Sequence, residues 1–156
     1  MCLKNWNEIA ELVDKLKDQS KKIVFTNGCF DIIHAGHVQY LSEAKALGDI
    51  LIIGLNSDSS VKRLKGNDRP VNDQTNRATV IGAMKPVDYV VIFEEDTPFE
   101  IIKVVQPDIL VKGGDWTENN IVGADIVKSN GGKVISLPYW DGLSTSNTIN
   151  AMSKSI

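Results

Sequence analysis

The chain has 156 residues, of which 42% are hydrophobic and 24% are charged, and its formal net charge is −3 at pH 7. These values are typical of one globular domain that is large enough to bury a core, and they argue against a dedicated nucleic-acid-binding protein, which normally carries a basic excess. Cys2 and Cys29 stand far apart and form no CxxC pair, so neither a structural zinc site nor a disulfide framework is predicted. Because there is no apolar run of about 18 residues and residues 1–20 are rich in charge, neither a membrane span nor a secretory signal is predicted, and we expect a cytoplasmic protein.

Hydrophobic spacing predicts helices alternating with short apolar strands over the whole chain. An amphipathic helix within residues 1–20, with Trp6, Ile9 and Val13 on its apolar stripe, is expected to pack on the domain. The predicted strands cover residues 22–26, 49–55, 88–93, 108–111 and 133–137. The predicted helices cover residues 35–47, 61–65, 74–84, 98–105 and 119–129, and a last helix runs from Ser144 or Thr145 toward Met152. The pattern indicates an α/β protein with a single domain, 1–156, built on a parallel five-stranded sheet with helices on both faces.

The most informative stretch lies where the first strand ends and the next helix begins, at residues 26–37 (TNGCFDIIHAGH). It contains the only two histidines of the chain, His34 and His37, with Gly36 between them. Ligands of parallel sheets bind at the carboxyl ends of the strands, and a helix N-terminus attracts phosphate through its free N–H groups and dipole. Imidazoles at this place can donate hydrogen bonds to phosphate oxygens and stabilise charge during phosphoryl chemistry. Alternatively, the histidines are packing residues, or form a metal site with Asp31 or Asp58.

Other common motifs for nucleotide or hydrolytic chemistry are missing. There is no GxxxxGK[ST] and no GxGxxG after the first strand, which argues against P-loop ATPases and dinucleotide-binding oxidoreductases. There is no GxSxG and no HExxH, which argues against a serine hydrolase and a zinc hydrolase.

The HxGH element, following a strand and an N-G-x-F-D turn, resembles the motif of the cytidylyltransferase-like nucleotidylyltransferase superfamily. Further blocks resemble one branch of it, the adenylyltransferase of ADP-heptose synthesis. They are Asn56-Ser57-Asp58, residues 64–71 (LKGNDRPV), residues 93–98 (FEEDTP), residues 110–116 (LVKGGDW) and residues 142–147 (GLSTSN). The resemblance covers about residues 20 to 150. It implies a Rossmann-like doubly wound fold and transfer of AMP from ATP to a sugar 1-phosphate, heptose 1-phosphate, giving ADP-heptose and pyrophosphate.

The resemblance also implies residue roles. His34 and His37 contact the triphosphate and stabilise the transition state, and Lys65 joins them as a catalytic cation on phosphate oxygens. Arg69 and Arg77 are further basic candidates near Lys65, and the alternative for any of these three cations is a solvated charge. The implied nucleotide-binding residues are Asn27, Gly28, Cys29, Phe30, Asp31, Gly36, Asn56, Asp58, Lys112, Gly113, Ser144, Thr145 and Ser146. The implied substrate-binding residues are Asp31, Arg69, Lys112, Asp115 and Trp116.

Several of these roles have structural alternatives. Asp31 either orients its loop or lies near the magnesium–triphosphate, or it is a turn-capping aspartate. The sulfur of Cys29 is expected to be a small buried thiol, and Ser144, Thr145 and Ser146 can cap the last helix, bind the β- and γ-phosphates, or do both. The superfamily often places an arginine after this serine-rich turn, where this chain has Thr148 or Ile149. The cation that holds the terminal phosphate is therefore left open, with Lys112 and Lys65 as candidates.

The implied reaction is an in-line displacement in which a substrate phosphate oxygen attacks the α-phosphorus, so no general base is needed. Mg²⁺ is the expected cofactor, held largely by phosphate oxygens and water, with no protein metal ligands. The resemblance also implies a homodimer and a separate sugar kinase upstream. The competing hypotheses are a sibling enzyme that uses another nucleotide or acceptor, such as a glycerol-3-phosphate cytidylyltransferase, a non-catalytic nucleotide-binding module, and a metal-binding domain.

Overall fold

A parallel β-sheet forms the centre of the computed structural model, which describes residues 2–114, 116–138 and 144–154. Its strands are β1 (Leu3–Lys4), β2 (Ile23–Gly28), β3 (Ile50–Asn56), β4 (Tyr89–Phe93), β5 (Ile109–Gly113) and β6 (Lys133–Leu137). The helices are α1 (Trp6–Asp18), α2 (Ala35–Ala46), α3 (Asp58–Lys65), α4 (Gln74–Gly82), α5 (Phe99–Val105), α6 (Ala124–Ser129) and α7 (Thr145–Ser153), with a 3₁₀ turn at Glu118–Asn120. The α/β architecture predicted from hydrophobic spacing is therefore confirmed.

The sheet has six strands rather than the predicted five, in the order β1-β4-β3-β2-β5-β6. The additional strand β1 pairs in parallel with β4, with Leu3 opposite Val90 and Lys4 opposite Val91. A strand of two residues contains no alternation that a sequence pattern could reveal, since a strand is recognised by period two over at least four residues.

The strand order reverses between β2 and β5. From β2 the chain builds outward through β3 and β4, and it then returns to place β5 and β6 on the other side of β2. Along β2, all six residues from Ile23 to Gly28 lie in register with β3. On its other side, only Val24 and Phe25 have partners, Ile109 and Leu110 of β5. This short pairing between β2 and β5, called the seam below, lies at the switch point of the sheet, where ligands of such folds bind.

Alternating residues of the strands pack into two hydrophobic clusters, one on each face. On one face, Phe25 of β2 packs with helices α1, α5 and α6, whose buried residues include Ile9, Ile102 and Val127. On the other face, Val24 packs with α2 and α4. Both faces of β2 and β3 are buried, which explains why these strands read as continuous apolar runs. None of the helices formed by the described residues combines the length and the apolar character needed to cross a bilayer.

The predicted helix over residues 119–129 is wrong in its first half. Residues 118–120 form a 3₁₀ turn, and α6 begins only at Ala124. Gly123, which precedes it, has φ +85°. A β-carbon at Gly123 would lie 2.6 Å from Cδ1 of Ile102 on α5. The left-handed backbone and the close approach of α5 together end the first turn and restart the helix.

Gly123→Ala is expected to lower the free energy of unfolding by about 2–4 kcal/mol, because the left-handed conformation costs about 1 kcal/mol and overpacking against Ile102 costs about 1–3 kcal/mol. Urea denaturation measures the change. Gly131→Ala is the matched control, since Gly131 has φ +80° but a β-carbon there would meet no atom within 4 Å. It is expected to lose only about 1 kcal/mol. Equal losses in the two variants would show that Ile102 contributes nothing.

Candidate active site

The predicted site residues lie at the carboxyl edge of the sheet, on both sides of the seam. Asn27 and Gly28 are the last residues of β2, and Lys112 and Gly113 are the last residues of the neighbouring strand β5. Asn56 ends β3 and lies next to β2. Asn27 and Lys112, which are 85 residues apart in the sequence, thus lie at the same edge of the sheet, where α/β proteins bind ligands.

His34 and His37 lie side by side at the N-terminus of α2. His34 is the N-cap residue, Gly36 is the second residue of the helix, and His37 is the third. The two imidazole rings have centroids 4.0 Å apart and an interplanar angle of 32°. The first turn of α2 has no acidic side chain, so no side chain of that turn neutralises the positive end of the helix dipole. The place suits an anion.

The hydrogen bonds assign the neutral form of His37. Its Nδ1 accepts a hydrogen bond from the backbone N–H of His34 at 3.3 Å. Burial, with a smaller contribution from His34, lowers the pKa of His37 to about 4, so the ring is neutral at pH 7. A neutral imidazole that accepts at Nδ1 carries its proton on Nε2. His37 therefore has a hydrogen-bond donor for a ligand without being charged.

His34 lacks an equivalent partner. Its Nδ1 is buried and has no hydrogen-bond partner within residues 2–114, 116–138 and 144–154. Burial also lowers the pKa of His34 from its usual value. A buried polar atom without a partner costs free energy in a folded protein, and such atoms concentrate where a ligand completes the bonding.

The turn between β2 and α2 has a constrained backbone. Phe30 adopts φ +45°, in the left-handed region that residues other than glycine rarely adopt. Its ring contacts His37, with centroids 5.4 Å apart. A β-carbon at Gly28 would lie 2.9 Å from Cε2 of Phe30, so glycine is needed here for this ring as well as for any ligand. The backbone N–H of Phe30 makes no hydrogen bond with the described part of the chain.

Three predicted site residues interact electrostatically across the seam. Burial lowers the pKa of the Lys112 ammonium, and the positive charge of Lys65 acts in the same direction. Burial raises the pKa of the Cys29 thiol despite the nearby Lys65. Lys65 is the last residue of α3 and is exposed, whereas Lys112 at the end of β5 is half-buried. Two cations from separate parts of the chain thus interact electrostatically with Cys29 in the β2–α2 turn, and the Cys29 sulfur is a half-buried neutral thiol.

Beyond β5, Trp116 covers Lys112. The Lys112 Nζ lies 5.8 Å from the centroid of the indole ring. The indole Nε1 donates to the carbonyl of Gly113 at 2.9 Å, and the ring is about half exposed. An exposed aromatic face fixed beside a cation can stack on a ligand. Asp115, also predicted to bind substrate, lies outside the described residues.

The N-terminus of α7 joins the same edge. The Thr145 hydroxyl donates to the carbonyl of Ile32 in the β2–α2 turn at 3.1 Å. The Ser144 side chain caps the helix by accepting from the backbone N–H of Asn147, as one of the two alternatives predicted. Ser146 is exposed in the first turn. The N-termini of α2 and α7 therefore meet around Ile32, while residues 142 and 143 of the quoted motif are outside the described residues.

Asp31 anchors a loop instead of presenting a free carboxylate. Its buried carboxylate accepts from Nε of Arg69 at 2.8 Å and from the backbone N–H groups of Val71 and Asn72. Burial alone raises the pKa of Asp31, but the two backbone hydrogen bonds and the Arg69 guanidinium outweigh burial and hold the pKa below its usual value. Of the predicted alternatives for Asp31, orientation of a loop is the one that agrees with this geometry. Asp31 and Arg69 neutralise each other beside the site.

Arg77 is a buried scaffold residue, whereas the sequence predicted either a phosphate-binding cation or a solvated charge. It is 2% exposed, and it donates to the carbonyls of Asn72, Cys29 and Asn56 and to the carboxylate of Asp58. The Asn56 side chain donates to Ser60, so Asn56 and Asp58 are both bonded within the protein. Arg77 lies on the same buried face of α4 as Ala78 and Ile81. This helical spacing is the sequence feature that could have indicated a buried arginine.

No group of three His, Cys, Asp or Glu side chains among residues 2–114, 116–138 and 144–154 could hold a metal ion. The two carboxylates predicted to bind nucleotide, Asp31 and Asp58, are already bonded to Arg69 and Arg77. The described side chains therefore do not form a Mg²⁺ site made of protein ligands.

A cleft of about 610 Å³ lies elsewhere, at the β1–β4 edge of the sheet. It is lined by Leu3, Lys4, Asn5, Trp6, Glu8, Gln74, Ile92, Glu94 and Glu95. A large cleft is often the first choice for a ligand site. Three glutamates against one lysine would repel a triphosphate, however, and none of the predicted site residues lines this cleft. The seam, with its helix N-termini and cations, is the better candidate for an anionic ligand.

Sequence comparison agrees with the chemistry of the seam. The family described as "Cytidylyltransferase-like" matches residues 25–151, which include every predicted site residue. The chain belongs to the cytidylyltransferase-like family. Membership of this family, together with the relatives below, identifies the protein as a nucleotidyltransferase.

Curated relatives named "Bifunctional protein HldE" are similar over almost the whole chain. The protein from Nitratiruptor sp. is 54% identical over 150 residues, which are 96% of this chain and 32% of that protein. The protein from Aliarcobacter butzleri is 54% identical over 147 residues, 94% of this chain and 30% of that protein. The chain thus spans about a third of the length of these relatives.

Solved structures confirm the Rossmann-like, HxGH-type fold predicted from the resemblance. The lipopolysaccharide core biosynthesis protein from Thermoplasma volcanium is 30% identical, with a TM-score of 0.65 over 78% of this chain and 99% of that chain. The pantoate-beta-alanine ligase from Francisella tularensis shares the fold, with a TM-score of 0.63 over 99% of this chain and 79% of that chain, at 14% identity.

Proposed function

We propose that this nucleotidyltransferase is an adenylyltransferase that transfers AMP from ATP to heptose 1-phosphate, giving ADP-heptose and pyrophosphate. The observation that carries the transfer chemistry is the pair of His34 and His37, whose ring centroids lie 4.0 Å apart at the N-terminus of α2. Lys65 and Lys112, which both interact with Cys29 in the turn before that helix, supply positive charge. The similarity to HldE proteins and to a lipopolysaccharide core biosynthesis protein supports a sugar phosphate as the acceptor.

The proposed reaction is a direct displacement at the α-phosphorus. An oxygen of the sugar 1-phosphate forms the new P–O bond as the bond to the β-phosphate bridging oxygen breaks, and the electron pair leaves with pyrophosphate. The nucleophilic phosphate is anionic at pH 7, so no side chain has to remove a proton. Catalysis then comes from positioning and from stabilising the charge that spreads over the phosphoryl oxygens.

The described residues supply donors of two kinds for that charge. His37, neutral and protonated at Nε2, donates a hydrogen bond without requiring a proton from solvent. Lys65 and Lys112 supply positive charge from opposite sides of the seam, in the place of the arginine that is missing after α7 begins. Mg²⁺ would enter with the triphosphate as part of the substrate, bound to its oxygens and to water.

Trp116 and Lys112 are the proposed contacts of the acceptor. The half-exposed indole offers an apolar face for a sugar ring, and the ammonium beside it offers a charge for the sugar phosphate. We also propose that the protein acts as a homodimer and that a sugar kinase supplies the phosphorylated acceptor. The bifunctional relatives are consistent with a partner activity in the same pathway.

A nucleotide screen tests the proposal. The purified protein is incubated with Mg²⁺ and ATP, CTP, GTP or UTP, with and without D-glycero-D-manno-heptose 1-phosphate, and pyrophosphate release is measured. Release that requires both ATP and the heptose phosphate is expected. Release with CTP, or only with another acceptor such as glycerol 3-phosphate, would assign the enzyme to a sibling activity. Nucleotide binding without release in any combination would contradict an enzymatic role.

A further inference from the structure

We propose that Arg77 is a positioning residue, which holds the β2–α2 turn, the end of β3 and the α3–α4 loop in one arrangement for nucleotide transfer. The inference rests on the proposed function, because it assigns a role in that reaction to a side chain that cannot reach the substrate. Arg77 lies on α4, and its side chain is fully buried.

Arg77 connects three segments that the sequence separates. Its Nη1 donates to the carbonyl of Cys29 at 2.7 Å and to the carbonyl of Asn56 at 2.8 Å. Its Nε donates to the carbonyl of Asn72 at 3.0 Å, and Nη2 donates to Asp58 at 2.8 Å. Only a planar guanidinium offers donors in enough fixed directions for such a set. The guanidinium therefore holds the three segments in fixed positions relative to one another.

The bond to Cys29 determines where the next amide points. In a trans peptide the C=O and N–H groups point in opposite directions. With the Cys29 carbonyl held against Arg77, the N–H of Phe30 faces away from Arg77, and it makes no hydrogen bond with the described residues. Phe30 keeps φ +45°, a strained value that persists only when its surroundings hold it. Arg77 thus stabilises a turn that presents a free amide beside the two histidines.

The α3–α4 loop is tied to the same turn from two sides. The backbone N–H of Asn72 donates to the Asp31 carboxylate, and its side chain donates to the Asp31 carbonyl. The Asn72 carbonyl accepts from Arg77. The turn and the loop are therefore joined through Asn72, so a displacement of Arg77 would move both.

Arg77→Lys is the test variant, because it keeps a positive charge opposite Asp58 but has one nitrogen instead of three. We expect kcat for pyrophosphate release to fall by about 10- to 100-fold with KM for the nucleotide changed less than about threefold, since a small displacement of the reacting groups affects the transition state more than binding. Arg63→Lys is the matched control. Arg63 is about half exposed, pairs with Asp96 and donates to the carbonyl of Glu94, and its substitution is expected to leave both constants unchanged.

Amide hydrogen exchange separates positioning from general stability and is measured without turnover. The amides of Val71 and Asn72 are expected to lose protection in Arg77→Lys while the amides of β3 keep theirs. Uniform loss across the domain, or an unchanged kcat in a folded variant, would overturn the proposal.

Asn72→Ala covers the case in which Arg77→Lys does not fold. Asn72 is exposed, and this variant removes only the side-chain bond to the Asp31 carbonyl. A several-fold fall in kcat with local loss of protection at Val71 is expected, and no change in either would overturn the part of the inference that joins the β2–α2 turn to the α3–α4 loop. If the wild-type protein releases no pyrophosphate, the proposed function fails, and the exchange pattern still decides whether Arg77 holds the turn and the loop together.

Discussion

His37→Asn is expected to lower the rate of pyrophosphate release by about 10²- to 10³-fold, the usual cost of removing one donor that stabilises charge in a transition state. The asparagine amide oxygen can replace Nδ1 as the acceptor for the His34 N–H, so the turn is preserved. What asparagine cannot replace is the outward N–H of Nε2. Steady-state kinetics with the preferred nucleotide and acceptor measures the loss.

Two further variants sharpen this test. His37→Gln places an amide N–H close to the position of Nε2, so it is expected to retain more activity than His37→Asn. Ser42→Ala, on the exposed side of the same helix, is the control and is expected to match the wild-type rate. Equal rates for His37→Asn and wild type would contradict a role for the imidazole.

The pH profile separates a neutral donor from a charged one. With a pKa of about 4, His37 is neutral above about pH 5, so its titration is expected to leave kcat flat between pH 6 and 8. A descending limb near pH 6.5 that is present in wild type and absent in His37→Asn would show that the protonated imidazole acts instead.

Asp31→Ala is expected to lower the free energy of unfolding by about 2–4 kcal/mol, because it leaves the Arg69 guanidinium and the N–H groups of Val71 and Asn72 without their acceptor. Denaturation in urea measures the loss. Asp96→Ala removes an ion pair with Arg63 in which both side chains are about half exposed, and it is expected to cost less than about 1 kcal/mol. Losses of similar size in both variants would mean that the Asp31 bonds do not hold the loop.

The contribution of Asp31 depends on pH in a predictable direction. Its folded-state pKa lies below the unfolded value of about 3.9, so the unfolded chain binds the proton more readily. The stabilising contribution is therefore complete above about pH 5 and is lost as the pH falls through the folded-state pKa. The stability difference between wild type and Asp31→Ala is expected to be constant from pH 5 to 8 and to shrink below about pH 4. A difference that grows on acidification would contradict this sign.

Much of the fold could be predicted because its strands are buried on both faces. The runs around Ile23 and Ile52 are mostly apolar, and the second is followed by a helix with a recognisable cap, Ser57 before α3. The two-residue strand β1 and the break at Gly123 were missed. Both depend on tertiary neighbours, Val90 for β1 and Ile102 for Gly123, which local sequence patterns do not contain.

In the candidate site, too, some features could be predicted from local sequence and others depend on tertiary contacts. The positions of His34 and His37 at a helix N-terminus followed from the strand before them and the helix after them. The roles of Asp31 and Arg77 did not, since a charged residue near a phosphate motif reads equally as a ligand-binding group or as a buried scaffold. Only their partners distinguish the two, and Arg77 finds its partners in segments 5, 21 and 48 residues away.

A nucleotide bound as proposed at the seam between β2 and β5 would contact both halves of the chain. Lys65 belongs to the half of the chain that builds β2, β3 and β4, while Lys112 and the start of α7 belong to the other half. The β2–β5 ladder has only the Val24–Ile109 and Phe25–Leu110 pairs, and the halves also pack together through α1 and α5 in one hydrophobic cluster. A triphosphate held by both lysines would add a further link between the two halves. Ligand affinity then adds to cohesion of the whole domain, which predicts a melting temperature that rises with nucleotide concentration. It also makes the exposed stretch at Glu94–Thr97, between the halves, the natural place to divide the chain into two fragments that reassemble when nucleotide is added.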